Sequence, residues 1–228
     1  MMQQRRRMAV TRFVSSTVIA TLAAVLSHSG GVGASAAPGD LFDDIYARGR
    51  GIETSLKTVT ARFTETTTSS LLTRPLVARG TLAVQRPSRI VLHYDEPELR
   101  TMLIDHDRLT LAWPSRGVPQ RTDIGAAQRR IDKYFVDKTP DELRRNFTIS
   151  ATEASDRPGT WRITMVPRRK QIQEGLSQLD LWVARTSLLL SAMRMTFPNA
   201  DTKLMVFDDV VVNGPVDPKL FSIDAGRR

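Results

Sequence analysis

The sequence contains no cysteine, and this absence excludes several kinds of chemistry. A chain without cysteine forms no disulfide, offers no thiolate to a metal ion and has no thiol nucleophile. It also lacks the residue that carries the lipid anchor of proteins acylated on an N-terminal cysteine. We therefore expect the mature protein to be neither disulfide-bonded nor a cysteine-acylated lipoprotein.

Histidine is scarce as well, with three residues in a chain of 228. Beyond the N-terminal segment these are His93, in a predicted strand, and His106, in a predicted turn. That part of the sequence has no G-x-S-x-G elbow, no H-E-x-x-H motif and no glycine-rich phosphate loop. Acidic pairs such as Asp105 and Asp107 fall where carboxylates commonly cap or solvate a chain end. We predict no catalytic residue, no metal site and no cofactor.

Residues 1–36 predict a cleaved signal peptide. Arginines at positions 5–7 and 12 precede an apolar run at 13–26, and small residues follow as far as Ala37. A transmembrane anchor needs about 20 apolar residues, whereas this run has 14 and includes two serines and two threonines. We place the cut after Ala36, because a cut after Ala37 would leave Pro38 at the new N-terminus. A single domain, residues 37–228, remains.

The basic charge of the chain is partly a property of this segment. The formal net charge is +9, and removing four arginines and no acid lowers it to about +5. A charge of this size fits a solvated surface or a mildly anionic partner. No dense stripe of Lys and Arg alternates with aromatic residues, so the sequence does not predict a nucleic-acid interface.

The period of the hydrophobic residues divides the rest of the chain into helices and strands. Apolar residues recur at helical spacing from Leu41 to Lys57, and we expect this amphipathic helix to be weakened near Gly49–Gly51. A period of two then predicts a strand at 58–69. The same alternation predicts strands at 80–85, 89–94, 101–104, 108–113, 147–151, 161–166, 178–183, 188–197 and 203–212.

Two features complete the predicted architecture. The segment 124–147 returns to helical spacing, with a helix start at Thr139-Pro140, and predicts two short helices. The strands follow each other at intervals typical of an antiparallel meander. A sheet of about ten strands twists and curls, so we predict a mainly β fold: one curved antiparallel sheet with helices over its apolar face.

Long, flexible or aromatic apolar residues are concentrated at the inward positions of these strands. Methionine in particular adapts to irregular apolar shapes. Two interpretations stay open: these side chains fill a packed core, or they leave a concavity that accepts acyl chains. The candidate lipid-binding residues are Phe63, Leu82, Val84, Ile90, Leu92, Tyr94, Met102, Ile104, Leu109, Leu111, Trp113, Ile163, Met165, Met193 and Met195.

Three stretches carry a resemblance to a known family. Residues 56–65, the run Gly80-Thr-Leu-Ala-Val-Gln-Arg86-Pro87 and the strand from Ile90 to Pro97 are similar to the periplasmic outer-membrane lipoprotein carriers, the LolA-like proteins. The resemblance implies an incomplete β-barrel covered by lid helices, a monomer in the periplasm, and acylated lipoprotein or another lipid as cargo. It also implies an inner-membrane ABC transporter as donor and an outer-membrane receptor as acceptor. Arg86 resembles the family arginine that holds the lid closed, a role suited to the five donors of a guanidinium.

The sequence departs from the family pattern at two places. It has Asp105-His106 where the family commonly has Asp-Gly, and Ile90 and Leu92 where aromatic residues are frequent. A paralogue that carries another lipid is therefore an open alternative. Two further alternatives are a regulatory lipid-binding domain that controls an envelope signalling partner, and an esterase that depends on His93 and His106.

Overall fold

Eleven antiparallel strands form one sheet in the computed structural model, which describes residues 40–136 and 138–223. They are β1 (Thr58–Thr68), β2 (Leu76–Gln85), β3 (Arg89–Glu96), β4 (Arg100–Asp105), β5 (Arg108–Ala112), β6 (Gln120–Asp123), β7 (Phe147–Glu153), β8 (Thr160–Pro167), β9 (Gln178–Ala184), β10 (Leu190–Thr196) and β11 (Thr202–Val212). Their order is β6-β5-β4-β3-β2-β1-β11-β10-β9-β8-β7.

The sheet consists of two meanders joined along one seam. Strands β1–β6 pair in sequence, strands β7–β11 do the same, and β1 pairs with β11 to connect the two halves. Strands β6 and β7 remain at the two ends of the order, so the sheet does not close. The register shifts on β1, on β2 and between β9 and β10, and such irregularities increase local twist and bend a strand.

Gly80 shows how closely two backbones approach at one of these shifts. A Cβ atom at this position would lie 1.9 Å from the carbonyl oxygen of His93 on β3. The sequence therefore needs glycine here for steric reasons, because no side chain fits against the neighbouring strand.

Four short helices accompany the sheet in the described residues: α1 (Leu41–Glu53), α2 (Gly125–Tyr134), α3 (Pro140–Asn146) and α4 (Lys170–Gln173). Asp40 caps α1 by accepting a hydrogen bond from the backbone N–H of Phe42 at 3.1 Å. Thr139 and Glu142 form a reciprocal capping box at the start of α3. Two 3₁₀ turns, Pro114–Arg116 and Pro218–Phe221, complete the list.

The two faces of the sheet differ in what covers them. The inner face carries the main apolar core, together with Phe42 and Ile45 of α1 and Leu143 of α3. On the outer face Val91 and Phe221 belong to one small cluster, and Trp182 belongs to another. Because successive strand residues alternate between faces, Ile90 and Leu92 lie in the main core while Val91 lies outside it.

The predicted fold class is confirmed: one open antiparallel sheet with short helices, mainly β with some α. Several boundaries differ. Helix α1 continues through Gly49 and Gly51 without interruption but ends at Glu53, and β2 begins at Leu76 instead of Gly80. Strand β6 and helix α4 were not predicted, since Gln120–Asp123 is exposed throughout and four residues show no helical period. The predicted signal peptide lies outside the described residues.

Candidate functional site

A cavity lies between helix α1 and the inner face of the sheet, and it is partly open to solvent. The cavity has a volume of about 180 Å³. The lining is formed by Phe42, Ile45, Tyr46, Gly49, Arg50, Ile52, Leu56, Lys57, Val59, Ala61, Leu82, Val84, Arg86, Phe135, Lys138, Leu143, Ile163, Met165, Leu181, Val183, Leu188, Leu189, Leu190, Phe207 and Val210. The interior is therefore mostly hydrocarbon.

Helix α1 forms the cover of this cavity. Residues 42, 45, 46, 49 and 52 all line it, a spacing of three and four that places them on one helical face. Phe42 and Ile45 are buried, whereas Ala47 and Arg48 on the opposite face are exposed. Asp43 and Asp44 occupy the first turn, where the helix dipole favours negative charge.

Gly49 leaves open space on this face. A Cβ atom added at Gly49 or at Gly51 would meet no other atom within 4 Å. Gly49 lines the cavity while Gly51 is exposed outside it. The absence of a side chain at Gly49 therefore leaves part of the cavity empty, whereas the absence of one at Gly51 does not affect the cavity.

Arg144 of α3 fastens the N-terminal end of α1. Its guanidinium donates to Asp40 at 2.7 Å and to Asp43 at 2.8 Å, and it lies 5.3 Å from the ring centre of Phe42. Hydrogen bonds from the Phe42 backbone and from Arg144 lower the pKa of Asp40, and the hydrogen bond to Asp43 raises the pKa of Arg144. Both shifts keep the pair ionised.

The C-terminal end of α1 is tied to the seam of the sheet. Asn213, which follows β11, accepts from the backbone N–H of Lys57 at 2.7 Å and donates to the Ser55 carbonyl at 3.0 Å. Its φ of 57° is left-handed, a conformation that asparagine adopts more readily than most residues. The connection from helix to sheet is thereby held in place.

The floor of the cavity comes from both meanders. Leu82 and Val84 of β2 contribute from one side, and Ile163 and Met165 of β8 contribute from the other. These four are the candidate lipid-binding residues that line the cavity. The remaining eleven candidates lie in or against the main core: Phe63, Ile90, Leu92, Tyr94, Met102, Ile104, Leu109, Leu111, Trp113, Met193 and Met195.

Several lining residues were not among the candidates. The sequence did carry a signal for the lining residues of α1, because the helical period identified an apolar face that must pack against another element. Leu188 and Leu189, just before β10, and Leu190, its first residue, had a weaker signal, because three consecutive leucines in a predicted strand show no alternation. Leu188 also has a φ of 58°, which is unusual for a bulky residue.

Arg86 lies at the end of β2 and lines the cavity, half-buried. Its backbone N–H donates to the Lys57 carbonyl at 2.9 Å, which joins it to the connection between α1 and β1. Arg50, Lys57 and Lys138 line the same cavity. We refer to these four residues as the cationic rim.

A polar cluster occupies the core away from the cavity. Glu65, 4% exposed, accepts from the Tyr94 hydroxyl at 3.0 Å and from the Lys203 ammonium at 2.9 Å. The guanidinium of Arg100 lies 3.8 Å from the ring centre of Tyr94. Burial, together with the charge of Glu65, raises the pKa of Tyr94 far above its usual value. Glu65, Tyr94 and Lys203 satisfy each other, whereas the Nε of Arg100 is buried and has no hydrogen-bond partner among the described residues.

The histidines have ordinary surroundings. His93 lies 3.0 Å from the Thr101 hydroxyl and 3.3 Å from the Leu220 carbonyl, and His106 contacts the adjacent Asp105. Within residues 40–136 and 138–223 no group of three or more His, Asp or Glu side chains is placed to hold a metal ion. None of the helices in these ranges has the length and hydrophobicity to span a bilayer.

An open sheet that holds an apolar cavity under a helix defines a carrier-type lipid-binding fold. The family model of the outer membrane lipoprotein carrier protein LolA matches residues 54–224, and the chain belongs to this family. No curated protein sequence matches it.

The chain also matches several solved structures at low sequence identity. The Mycobacterium tuberculosis lipoprotein LppX is 13% identical, with a TM-score of 0.49 over 76% of this chain and 96% of that one. A LolA superfamily protein from Nitrosomonas europaea is 9% identical, with a TM-score of 0.37 over 75% and 92%. MucB in its complex with MucA from Pseudomonas aeruginosa is 10% identical, with a TM-score of 0.43 over 74% and 56%.

Proposed function

We propose that this protein is a periplasmic carrier that binds acyl chains of lipoproteins, or of another envelope lipid, under helix α1. The supporting observation is the apolar cavity between α1 and the sheet. Each methylene removed from water contributes about 0.8 kcal/mol. A chain of about sixteen carbons therefore needs cover to cross an aqueous compartment.

The cavity in this state accommodates only part of such a chain. A cavity of about 150 Å³ is enough for benzene, and this one measures about 180 Å³. A full acyl chain must therefore displace α1 or extend through the opening. We propose that α1 is the lid, and that Arg86 at its edge favours the closed state. No reaction is catalysed.

We also propose a direction of transport, which the family match supports. We propose that the chain, after cleavage near Ala36, receives its cargo from an inner-membrane ABC transporter and delivers it to an outer-membrane receptor. Support comes from the match of residues 54–224 to the lipoprotein carrier model. The monomer acts alone in this scheme, with the lid as its moving part.

Two variants of α1 test whether the cavity is the binding site. Gly49→Leu places four carbons in the cavity, while Gly51→Leu adds the same atoms to the exposed side of the same helix. We expect Gly49→Leu to reduce uptake of a fluorescent fatty-acid probe at least tenfold and Gly51→Leu to leave it unchanged. Equal uptake by both variants would place lipid elsewhere, and no uptake by the parent protein would end the proposal.

Cargo is identified separately. Native mass spectrometry of protein purified from the periplasm should detect acylated species that are absent from Gly49→Leu. Co-purification of a signalling protein instead of acylated cargo would favour the regulatory alternative.

A further inference from the structure

Exposed apolar side chains gather at one end of the sheet. The described residues expose nine large hydrophobic side chains, and six of them belong to three connections between strands: Leu71, Leu72, Leu76 and Val77 of the β1–β2 hairpin, Leu99 of the β3–β4 turn, and Val118 between β5 and β6. We refer to these six residues as the loop-tip surface. We propose that the loop-tip surface docks on a lipid bilayer that contains anionic lipid.

The topology of the first meander brings the three connections to the same end. Strands β1–β6 run up and down in sequence, so every second connection falls on the same side. Arg79 of β2 donates to Glu96 of β3 at 2.7 Å. Arg116 donates to Glu98 at 3.0 Å, which joins the β5–β6 connection to the β3–β4 turn. Ion pairs thus hold the three tips beside one another.

The β1–β2 hairpin presents its leucines through an ordered turn. Ser69 is buried, its hydroxyl accepts from the backbone N–H of Leu71 at 3.2 Å, and its carbonyl accepts from that of Leu72 at 3.0 Å. Leu71 is 75% exposed, and Val118 in the third connection is 81% exposed. Single exposed apolar side chains are common, but a group of them at one end of a domain marks a site of interaction.

The form of this surface favours a bilayer over a protein partner. A stable protein interface needs about 800 Å² on each partner and closely matched shapes. The loop-tip surface instead consists of three separate projections with ion pairs between them. A fluid bilayer accepts each projection without a matching shape, and its interfacial region still supplies water to the polar backbone of a loop.

Charge complementarity indicates the kind of lipid. Arg74 is the only charged residue of the segment 69–77, and it is exposed among the leucines of the hairpin. Glu96 and Glu98 of the neighbouring turn each form an ion pair with an arginine. A basic side chain beside apolar ones is attracted to anionic head groups at the surface of a membrane. We therefore expect a preference for anionic over neutral bilayers.

The loop-tip surface is separate from the cavity. Strand β2 has ten residues, with Leu76 at one end and Gln85 at the other, directly before Arg86 at the cavity. At about 3.3 Å per residue the strand spans about 30 Å. Membrane docking therefore goes beyond the proposed function, and it can be tested without any acyl ligand.

A single dye tests whether the hairpin enters a bilayer. Because the chain contains no cysteine, Leu71→Cys carries one environment-sensitive NBD group at the loop-tip surface. Val211→Cys carries it at an exposed position near the other end of the sheet, where Val211 pairs with Thr60. With vesicles of equal parts phosphatidylglycerol and phosphatidylcholine, we expect NBD emission to rise several-fold and shift to the blue in Leu71→Cys alone.

Sedimentation with vesicles then assigns the binding to the apolar side chains. The double variant Leu71→Ser, Leu99→Ser should bind these vesicles at least about tenfold more weakly than the parent protein. Val211→Thr, Leu220→Ser removes two exposed apolar side chains elsewhere and should bind like the parent. Phosphatidylcholine vesicles should bind the parent about tenfold more weakly, and 0.5 M salt should reduce this difference because ions screen exposed charges.

The outcomes separate this inference from the carrier proposal. Unchanged emission of Leu71→Cys with vesicles, or equal sedimentation of the two double variants, would overturn the docking surface. Equal binding to neutral vesicles would overturn the choice of anionic lipid. A blue shift that grows with protein concentration in the absence of vesicles would also overturn the inference, since a second copy would then cover the surface. Vesicle binding by a parent protein that takes up no fatty-acid probe would contradict the proposed function alone.

Discussion

Arg144 and Asp43 form an ion pair of 2.8 Å between helices α3 and α1, across 101 positions of sequence. A second bond, from Arg144 to Asp40, makes this pair a latch on the N-terminal end of α1, the proposed lid. The other end of α1 is held at the seam by Asn213. If the lid opens, the latch must break while the residues near Asn213 act as the hinge.

Arg144→Met removes the latch and keeps an apolar side chain over Phe42. We expect about 1 kcal/mol less stability, because the acidic partners are partly exposed and such pairs contribute little. We also expect acyl ligand to associate and dissociate several-fold faster, measured by stopped-flow fluorescence. Arg145→Met, on the exposed side of α3, is the control, and equal rates in the two variants would show that the latch does not limit access.

Arg86→Ala tests the proposed closing role of the rim arginine. A lid that closes less firmly should retain ligand for a shorter time, so we expect several-fold faster loss of acyl ligand and altered transfer to acceptor vesicles. Arg79→Ala removes an exposed, paired arginine from β2, the strand that precedes Arg86, and should change neither retention nor transfer. Unchanged retention and transfer in Arg86→Ala would show that the residue has another role.

The glycines of the chain differ in what replacing them costs. Gly51→Ala should stabilise the protein by about 0.5–1 kcal/mol, since the new methyl group meets nothing and the unfolded chain loses freedom. Gly80→Ala should cost about 3 kcal/mol or more, because its methyl group would overlap the His93 carbonyl. Urea unfolding measures both, and similar values for the two variants would contradict the backbone register of β2 and β3.

Asp180 should make the protein sensitive to acid. Its side chain is fully buried and accepts hydrogen bonds from Gln178, Thr164, Arg162 and Arg194. Burial alone would raise its pKa, but these bonds and the charge of Arg162 lower it below the usual value of 3.8. A lowered pKa means that the contribution to stability is present above about pH 4 and is lost as the pH falls further.

Asp180→Ala should therefore cost about 3 kcal/mol at pH 7, because it leaves two arginines without their partner. The cost should shrink in acid, as the pH falls below the usual carboxyl pKa of 3.8 and the carboxylate of the parent protein becomes protonated. Urea unfolding at pH 7 and in acid measures this, with the exposed Asp208→Ala as control. A cost independent of pH would mean that packing, and not charge, determines the role of Asp180.

Predicting the strands worked where one face is buried and failed where neither is. Alternation along Ile90, Val91 and Leu92 is a strong signal because a slip of one residue would exchange core and surface. Strand β6 has no buried residue, so its sequence carries no such signal. The continuity of α1 through Gly49 and Gly51 was not predicted. Tertiary packing of Phe42 and Ile45 stabilises this helix by more than the low helical propensity of glycine destabilises it.

The sequence by itself determined the mainly β architecture, the faces of the strands, the amphipathic helix at Leu41 and the capped helix at Thr139. These are local properties, since periodicity and capping act over a few residues. Only the tertiary structure decided which apolar residues border empty space. Whether Met193 touches a neighbour or a void depends on the summed volumes of side chains from distant strands. The tertiary structure places Met193 in the core and Met165 at the cavity. The latch at Arg144 and the cationic rim have the same origin, because each joins residues that meet only when the sheet curls and the helix lies across it.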